Sequence, residues 1–347
     1  MKLGLLVPQK GPSGLWAASA ICCAELAVLE LNERGGVLGQ PVELVSIDAG
    51  ASGASAAFAV EGAIGERGVQ AIVGMFPSYA RTPVARAIGR RVPFVYTPQF
   101  EGFERDKRIV TTGETARELL EPAIEWFKGH GGPKRFFLCG NDYIWPRASL
   151  AVARAMIGHS SVGSVVGERY LPLGDQSYHE LLACIAASRA NVVLPFFLGS
   201  EAIAFHRAFS EAGLTSRVLR FTPALDETIL YGIGERATDN LYASSAYFGA
   251  VASRNNGAFL ERYHRLHGES PPPANAFGQS CYEGVHCLGS LIEAANTLNA
   301  GAVSRELGRT RQHRTARGED RDPIAGARQP IHFARVDGYD FTFLPAI

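Results

Sequence analysis

The sequence predicts an α/β protein with two domains, each a mostly parallel sheet flanked by helices, and three observations carry that expectation. Short apolar runs alternate with amphipathic stretches almost to the end of the chain, the pattern of strands joined by crossover helices. At 347 residues the chain is long for one domain and comfortable for two, each burying its own core. Two aromatic segments, 95–103 and 139–147, each follow an apolar run. Both have the form of a strand whose carboxyl end turns into a loop, where open α/β sheets bind ligands.

In chain order, residues 3–8 read as the first strand and 15–34 as a helix with Ala18, Cys22, Leu26 and Leu29 on one face, stopped by Gly35-Gly36. Further strands are expected at 42–47, 71–75, 94–97, 136–139, 192–197 and 218–221. Amphipathic stretches at 80–90, 114–128, 178–188 and 201–212 separate most of them. Residues 108–114 read as a strand leaving one domain for a capped helix of the next, with Thr112 or Thr115 at the helix start. Two helices, 258–266 and 277–298, then follow without a strand between them, and 333–336 with 341–344 read as a hairpin around Asp337-Gly338. The expected boundaries are 1–112 and 248–328 for the first lobe, 113–247 for the second, and 329–347 for a hairpin joining the second. The Arg-rich stretch 301–329, with Arg305, Arg309, Arg311, Arg314, Arg317 and Arg321, reads as a solvated loop or frayed helix. Without interleaved aromatics it is a poor nucleic-acid patch.

Bulk properties exclude several function classes. Hydrophobic content is 46% and charged content 20%, and the 34 basic and 34 acidic residues cancel. No global field therefore recruits nucleic acid or a membrane surface. No apolar run is expected to reach the roughly 18 residues that would suggest a membrane span. Residues 1–8 are too short for the apolar core of a leader and read as a strand, which favours a cytoplasmic location. The six cysteines, among apolar neighbours and without a C-x-x-C pair, are expected to be free thiols, indicating neither zinc nor redox chemistry.

Enzymatic motifs are missing. The sequence has no phosphate loop, no H-E-x-x-H and no nucleophile elbow. Gly232-Ile233-Gly234 follows a helical stretch and reads as an ordinary loop, while His264 and His267 share a helix at spacing three as surface or partly buried histidines. No catalytic residue, metal or cofactor is expected.

The binding constellation is richer. After the third strand, Phe76 and Ser78 lie in a loop that enters a helix, where a hydroxyl and neighbouring amides can meet a carbonyl or carboxylate. Tyr96, Thr97 and Gln99 offer an aromatic wall, a hydroxyl and an amide after the next strand. Tyr143 and Trp145 flank one residue in the polar loop 142–147, and Phe197, Leu198, Thr222 and Asp226 end later strands of the same half.

These loops resemble the signature loops of the amide- and urea-binding branch of the type I periplasmic-binding family, over about residues 3–300. The resemblance implies a two-lobed fold with three hinge crossings that closes around a small solute without breaking a bond. It also implies that Tyr143 hydrogen-bonds the ligand and that Trp145 closes over it. Phe76, lacking a phenol oxygen, and the large Trp145 point to a solute larger or more apolar than acetamide, with an amide, urea or carboxylate head. The expected function is a cytoplasmic amide-responsive regulator that holds an antiterminator-type protein partner. The alternative is the receptor of an ABC importer for urea, short amides or branched-chain amino acids, partnered by its permease, with Asp226 facing an α-amino group. Neither reading involves direct nucleic-acid contact or membrane insertion, and both are compatible with a homodimer.

Overall fold

The structure, a computed structural model, describes residues 1–319 and 323–345. Its internal contacts divide the chain into two compact units. The first holds 1–99, 103–113 and 251–330; the second holds 100–102, 114–250 and 331–347.

The first unit begins with β1 (Lys2–Val7), α1 (Ala17–Glu33), β2 (Glu43–Asp48), α2 (Gly53–Gly65), β3 (Ala71–Gly74), α3 (Arg81–Ile88), β4 (Phe94–Tyr96) and β5 (Val110–Thr111). The second unit then runs α4 (Ala116–Gly129), β6 (Lys134–Asn141), α5 (Ile144–Ser160), β7 (Gly163–Leu171), α6 (Tyr178–Ser188), β8 (Val192–Phe196), α7 (Ser200–Glu211), β9 (Leu219–Thr222), α8 (Glu227–Ile233) and β10 (Leu241–Ser245). The chain returns to the first unit for α9 (Arg254–His267), α10 (Ala276–Ala295) and α11 (Ala300–Arg305), and ends in the second with β11 (His332–Asp337) and β12 (Asp340–Leu344).

Among the described residues the first unit holds a five-stranded sheet ordered β2-β1-β3-β4-β5, parallel throughout. The second holds a seven-stranded sheet ordered β12-β11-β10-β9-β8-β6-β7, parallel except where the terminal hairpin pairs with β10 and with itself. Both are the predicted mostly parallel sheets flanked by helices. Such strands are buried on both faces, which is why β1, β3, β4 and β8 read as continuous apolar runs.

Local chemistry sets the boundaries. Gly36 (φ 80°) ends α1 by donating its N–H to the Leu31 carbonyl, 2.9 Å away. A Cβ at Gly36 would fall 2.0 Å from the Gln40 carbonyl oxygen, so no other residue fits there. Of the two threonines proposed for the start of α4, the cap is Thr115, in a reciprocal box with Glu118.

Helix α1 packs along α10, and Gly278 permits the close approach, since a Cβ there would lie 2.0 Å from Ser19 Oγ. The expectation that no stretch is apolar enough for a span needs a correction. The helical stretch Gly14–Glu33 passes by length and hydropathy, yet 61% of that window is buried inside the protein. Its apolarity serves the core of the first unit.

One carboxylate ties three helices of that unit together. Glu30 on α1 accepts hydrogen bonds from Tyr282 Oη (2.8 Å) and His286 Nε2 (2.7 Å) on α10, and from Arg262 on α9. Burial opposes its charge, but these donors and the Arg262 cation outweigh burial and hold its carboxyl down to about 2.

The Arg-rich stretch was predicted as a solvated loop or frayed helix; its start is the short helix α11, and the part that follows is anchored rather than solvated. Buried Glu283 on α10 accepts from Gln279 Nε2 (2.9 Å), Thr315 Oγ1 (2.5 Å) and the Ala316 amide (2.9 Å), and Gln312 Nε2 reaches it at 2.5 Å. Gln312, Thr315 and Ala316 are buried with it. The segment is held by polar anchoring to one carboxylate, so its scarcity of apolar residues misled. Arg321 lies outside the described residues.

Candidate functional site

In the first unit β1, β3 and β4 are neighbours, so the segments that follow them share the carboxyl edge of one sheet. Phe76 and Ser78 follow β3, and Tyr96 ends β4. Their side chains meet. Phe76 and Tyr96 pack edge to face with ring centroids 5.2 Å apart, and the Tyr96 hydroxyl donates to the Phe76 carbonyl at 2.8 Å. Ser78 Oγ stands 3.4 Å from that same hydroxyl. All three side chains are buried.

A fourth residue, which the sequence reading passed over, completes this group. Arg81 at the start of α3 donates from Nη1 to Ser78 Oγ (3.3 Å), and its guanidinium lies 5.1 Å from the centre of the Tyr96 ring. Its Nε pairs with Glu104 at 2.8 Å, and only 7% of the residue is exposed. A signal was present in the sequence. A cation in the first turn of a helix sits at the wrong end of the macrodipole, so Arg81 needs a reason other than helix stability.

Trp16 is the second residue missed. It is fully buried in the short 3-10 turn after β1, its ring tilted against that of Phe277 with centroids 4.0 Å apart, and its indole N–H finds no acceptor among the described residues. A buried indole donor ordinarily has a partner.

Thr97 departs from its predicted role. Its hydroxyl is fully buried and faces α10, accepting from Ser280 Oγ at 3.1 Å and reaching the Gly74 carbonyl at 3.4 Å. Placed one position beyond the strand end, it serves internal packing. Gln99 is half-buried where the first segment of the unit ends.

In the second unit Tyr143 is the N-cap of α5, half-buried, with its ring 6.3 Å from that of Trp145. Trp145 does not have the exposure of a lid. It is 5% exposed, packs 5.1 Å from Phe196 and belongs to the main apolar cluster of the unit. The physical reason is that α5 begins at Ile144, earlier than the loop reading allowed, with Pro146 in its first turn where proline is tolerated. That register turns Trp145 inward and leaves Ile144 as the half-exposed apolar side chain of this turn.

The remaining candidates of this unit also have structural duties. Phe197 packs between Tyr178 and Phe205. The Leu198 amide donates to Asn141 Oδ1 at 2.8 Å, and Asn141 in turn donates to the buried carboxylate of Glu201 at 2.6 Å. Thr222 Oγ1 accepts from the Ala224 amide at 3.2 Å. Asp226 is the N-cap of α8, its Oδ1 accepting from Ile229 at 3.0 Å. Beside it, Glu227 accepts from the Gly249 amide at 2.7 Å, and burial together with the Asp226 charge pushes its carboxyl up to about 7.

Comparison with known proteins places this geometry. A profile of the periplasmic binding protein family matches residues 1–340. The chain is 26% identical to the Leu/Ile/Val-binding protein BraC3 of Rhizobium johnstonii over 318 residues, covering 88% of this chain and 82% of that protein. Among solved structures it resembles a solute-binding protein of an ABC transporter from Rhodopseudomonas palustris HaA2 in complex with p-hydroxybenzoic acid (TM-score 0.87, 21% identity, 97% and 93% of the two chains covered). It also resembles the branched-chain amino acid transporter substrate-binding protein LivJ of Streptococcus pneumoniae in complex with isoleucine (TM-score 0.84, 16% identity, 98% and 97% covered). With two α/β units and a profile match over nearly its whole length, the chain belongs to the type I periplasmic binding protein family.

Proposed function

We propose that this protein is the solute receptor of an ABC importer and that its solute is a small carboxylate with an apolar body. The observation that carries the ligand class is the buried group of Ser78, Arg81 and Tyr96 at the carboxyl ends of β3 and β4. A guanidinium held by Glu104 beside a hydroxyl offers charge-assisted donors in a water-poor setting, which suits a carboxylate better than the neutral oxygen of an amide or urea. Phe76 and Trp16 supply apolar surface to the same edge of the sheet. In the second unit Tyr143 and Asp226 are candidates for solute contact, Asp226 where the solute carries an ammonium.

The relatives support the importer reading over the cytoplasmic amide-responsive regulator expected from the sequence. They are named for branched-chain amino acids and aromatic acids, so an apolar amino acid and an aromatic acid are both candidates with the required head. The permease then replaces the antiterminator as the partner, and the working location moves outside the inner membrane. A thermal-shift panel tests this. Leucine, isoleucine, valine, benzoate and 4-hydroxybenzoate are screened against acetamide and urea. Stabilisation by at least one of the acids and by neither amide supports the proposal; the reverse pattern overturns it.

A further inference from the structure

Helix α9 ends on a histidine, and the fold brings it to two residues of α1 that have no part in the site above. Cys22 and Glu25 are three apart on α1 and so share a face. His267, the last residue of α9, lies beside them, and one ligand atom from each of the three falls within 4.8 Å of the others. The sequence alone, with no acidic partner in view for His267, pointed to a surface or partly buried histidine.

We propose that Cys22, Glu25 and His267 form a binding site for a divalent zinc-like cation that clamps α9 to α1. Thiolate, imidazole and carboxylate are the donor types zinc takes, and three protein ligands leave its fourth position to water. Bonds of about 2.0–2.3 Å at tetrahedral angles require ligand atoms roughly 3.3–3.8 Å apart. The three atoms are therefore about an ångström from ligating geometry, and the exposed Glu25 side chain can supply the adjustment.

A second feature orients the imidazole. His267 Nε2 lies 2.9 Å from the Cys22 carbonyl oxygen and donates its proton there, which leaves the lone pair on Nδ1. Fixing the ring through its other nitrogen is the usual arrangement for a metal-binding histidine. The Tyr263 ring packs 5.0 Å from the His267 ring. The carboxyl end of the 14-residue α9 adds a favourable potential for a cation. Zinc with a thiolate and a carboxylate is neutral overall, so binding displaces the thiol proton to solvent and leaves no net charge at this half-buried face.

The test uses the full chain, tag-free, reduced and stripped with a chelator. Zinc is titrated against a chromophoric competitor, and cobalt is substituted to read the thiolate-to-cobalt charge-transfer band. One cation per chain, with a thiolate band that Cys22→Ser abolishes and at least a tenfold loss of zinc affinity in both Cys22→Ser and His267→Gln, is the expected result. Circular dichroism and solute binding of each variant check that the fold is retained. No stoichiometric binding, a band that survives Cys22→Ser, or unchanged affinity in folded His267→Gln overturns the proposal.

Discussion

Arg81 donates to the Ser78 hydroxyl across 3.3 Å while its other edge is held by Glu104 at 2.8 Å, so a buried cation is aimed at the loop between β3 and α3. If that cation reads the solute's head, Arg81→Gln should weaken carboxylate binding by about 1.5–3 kcal/mol, the value of a hydrogen bond to a charged group. Glu104→Gln keeps a hydrogen-bond acceptor for the guanidinium and should cost less. Isothermal calorimetry on both variants gives the comparison; equal losses would assign Arg81 a structural role only.

Tyr143 is the one residue of its loop whose phenol sits half-exposed at a helix start. Tyr143→Phe is expected to weaken solute binding by about 0.5–1.5 kcal/mol, the net value of one hydrogen bond, and Tyr143→Ala by more. Unchanged affinity in both variants would remove Tyr143 from the site.

Trp145 and Ile144 make a paired test of which apolar side chain is core. Trp145→Ala should lower the unfolding free energy by about 3–5 kcal/mol, as large-to-small changes in a packed core do. Ile144→Ala should stay within roughly 0.5 kcal/mol in stability, and any effect it has should fall on solute affinity. Denaturant unfolding that shows Trp145→Ala to be silent would restore the lid.

Glu227 has a carboxyl pushed up to about 7 by burial and by Asp226, so the folded protein keeps its proton where the unfolded chain has lost it. Between the ordinary glutamate value and about 7 the unfolded state binds fewer protons, and stability therefore falls as pH rises through that window. Glu227→Gln keeps an acceptor for the Gly249 amide and removes this titration. The variant should gain stability relative to the native chain by roughly 1–3 kcal/mol between pH 5 and pH 8. Thermal melts of both proteins at the two pH values measure it; a constant difference would place no titration at Glu227.

The fold was legible because most strands of a parallel sheet are buried on both faces and stand out as apolar runs, as β1, β3 and β8 do. Elements without that contrast escaped. Strand β7 is a half-exposed edge with Gly163 and Gly167, and α2 is a run of small residues with little amphipathic signal. The loops at the strand ends were found for the same reason as the strands. What those loops do was harder to read, because a side chain's direction depends on a register the sequence leaves open. One residue of helix start turned Trp145 into the core, and one residue of strand length turned Thr97 toward Ser280. Arg81 escaped because its place in a first helical turn, unfavourable to a cation, names no partner until Ser78 and Tyr96 are seen beside it.

The most direct test of the central claim, that a buried cation selects a carboxylate, is calorimetric titration of the native chain with an acid and its own primary amide. Isoleucine with isoleucinamide and 4-hydroxybenzoate with 4-hydroxybenzamide make two such pairs, matched in size and apolar surface. In the pair that binds, the acid should be favoured at least tenfold, about 1.4 kcal/mol. An amide that binds as tightly as its acid, or acetamide or urea binding above every acid, would contradict it.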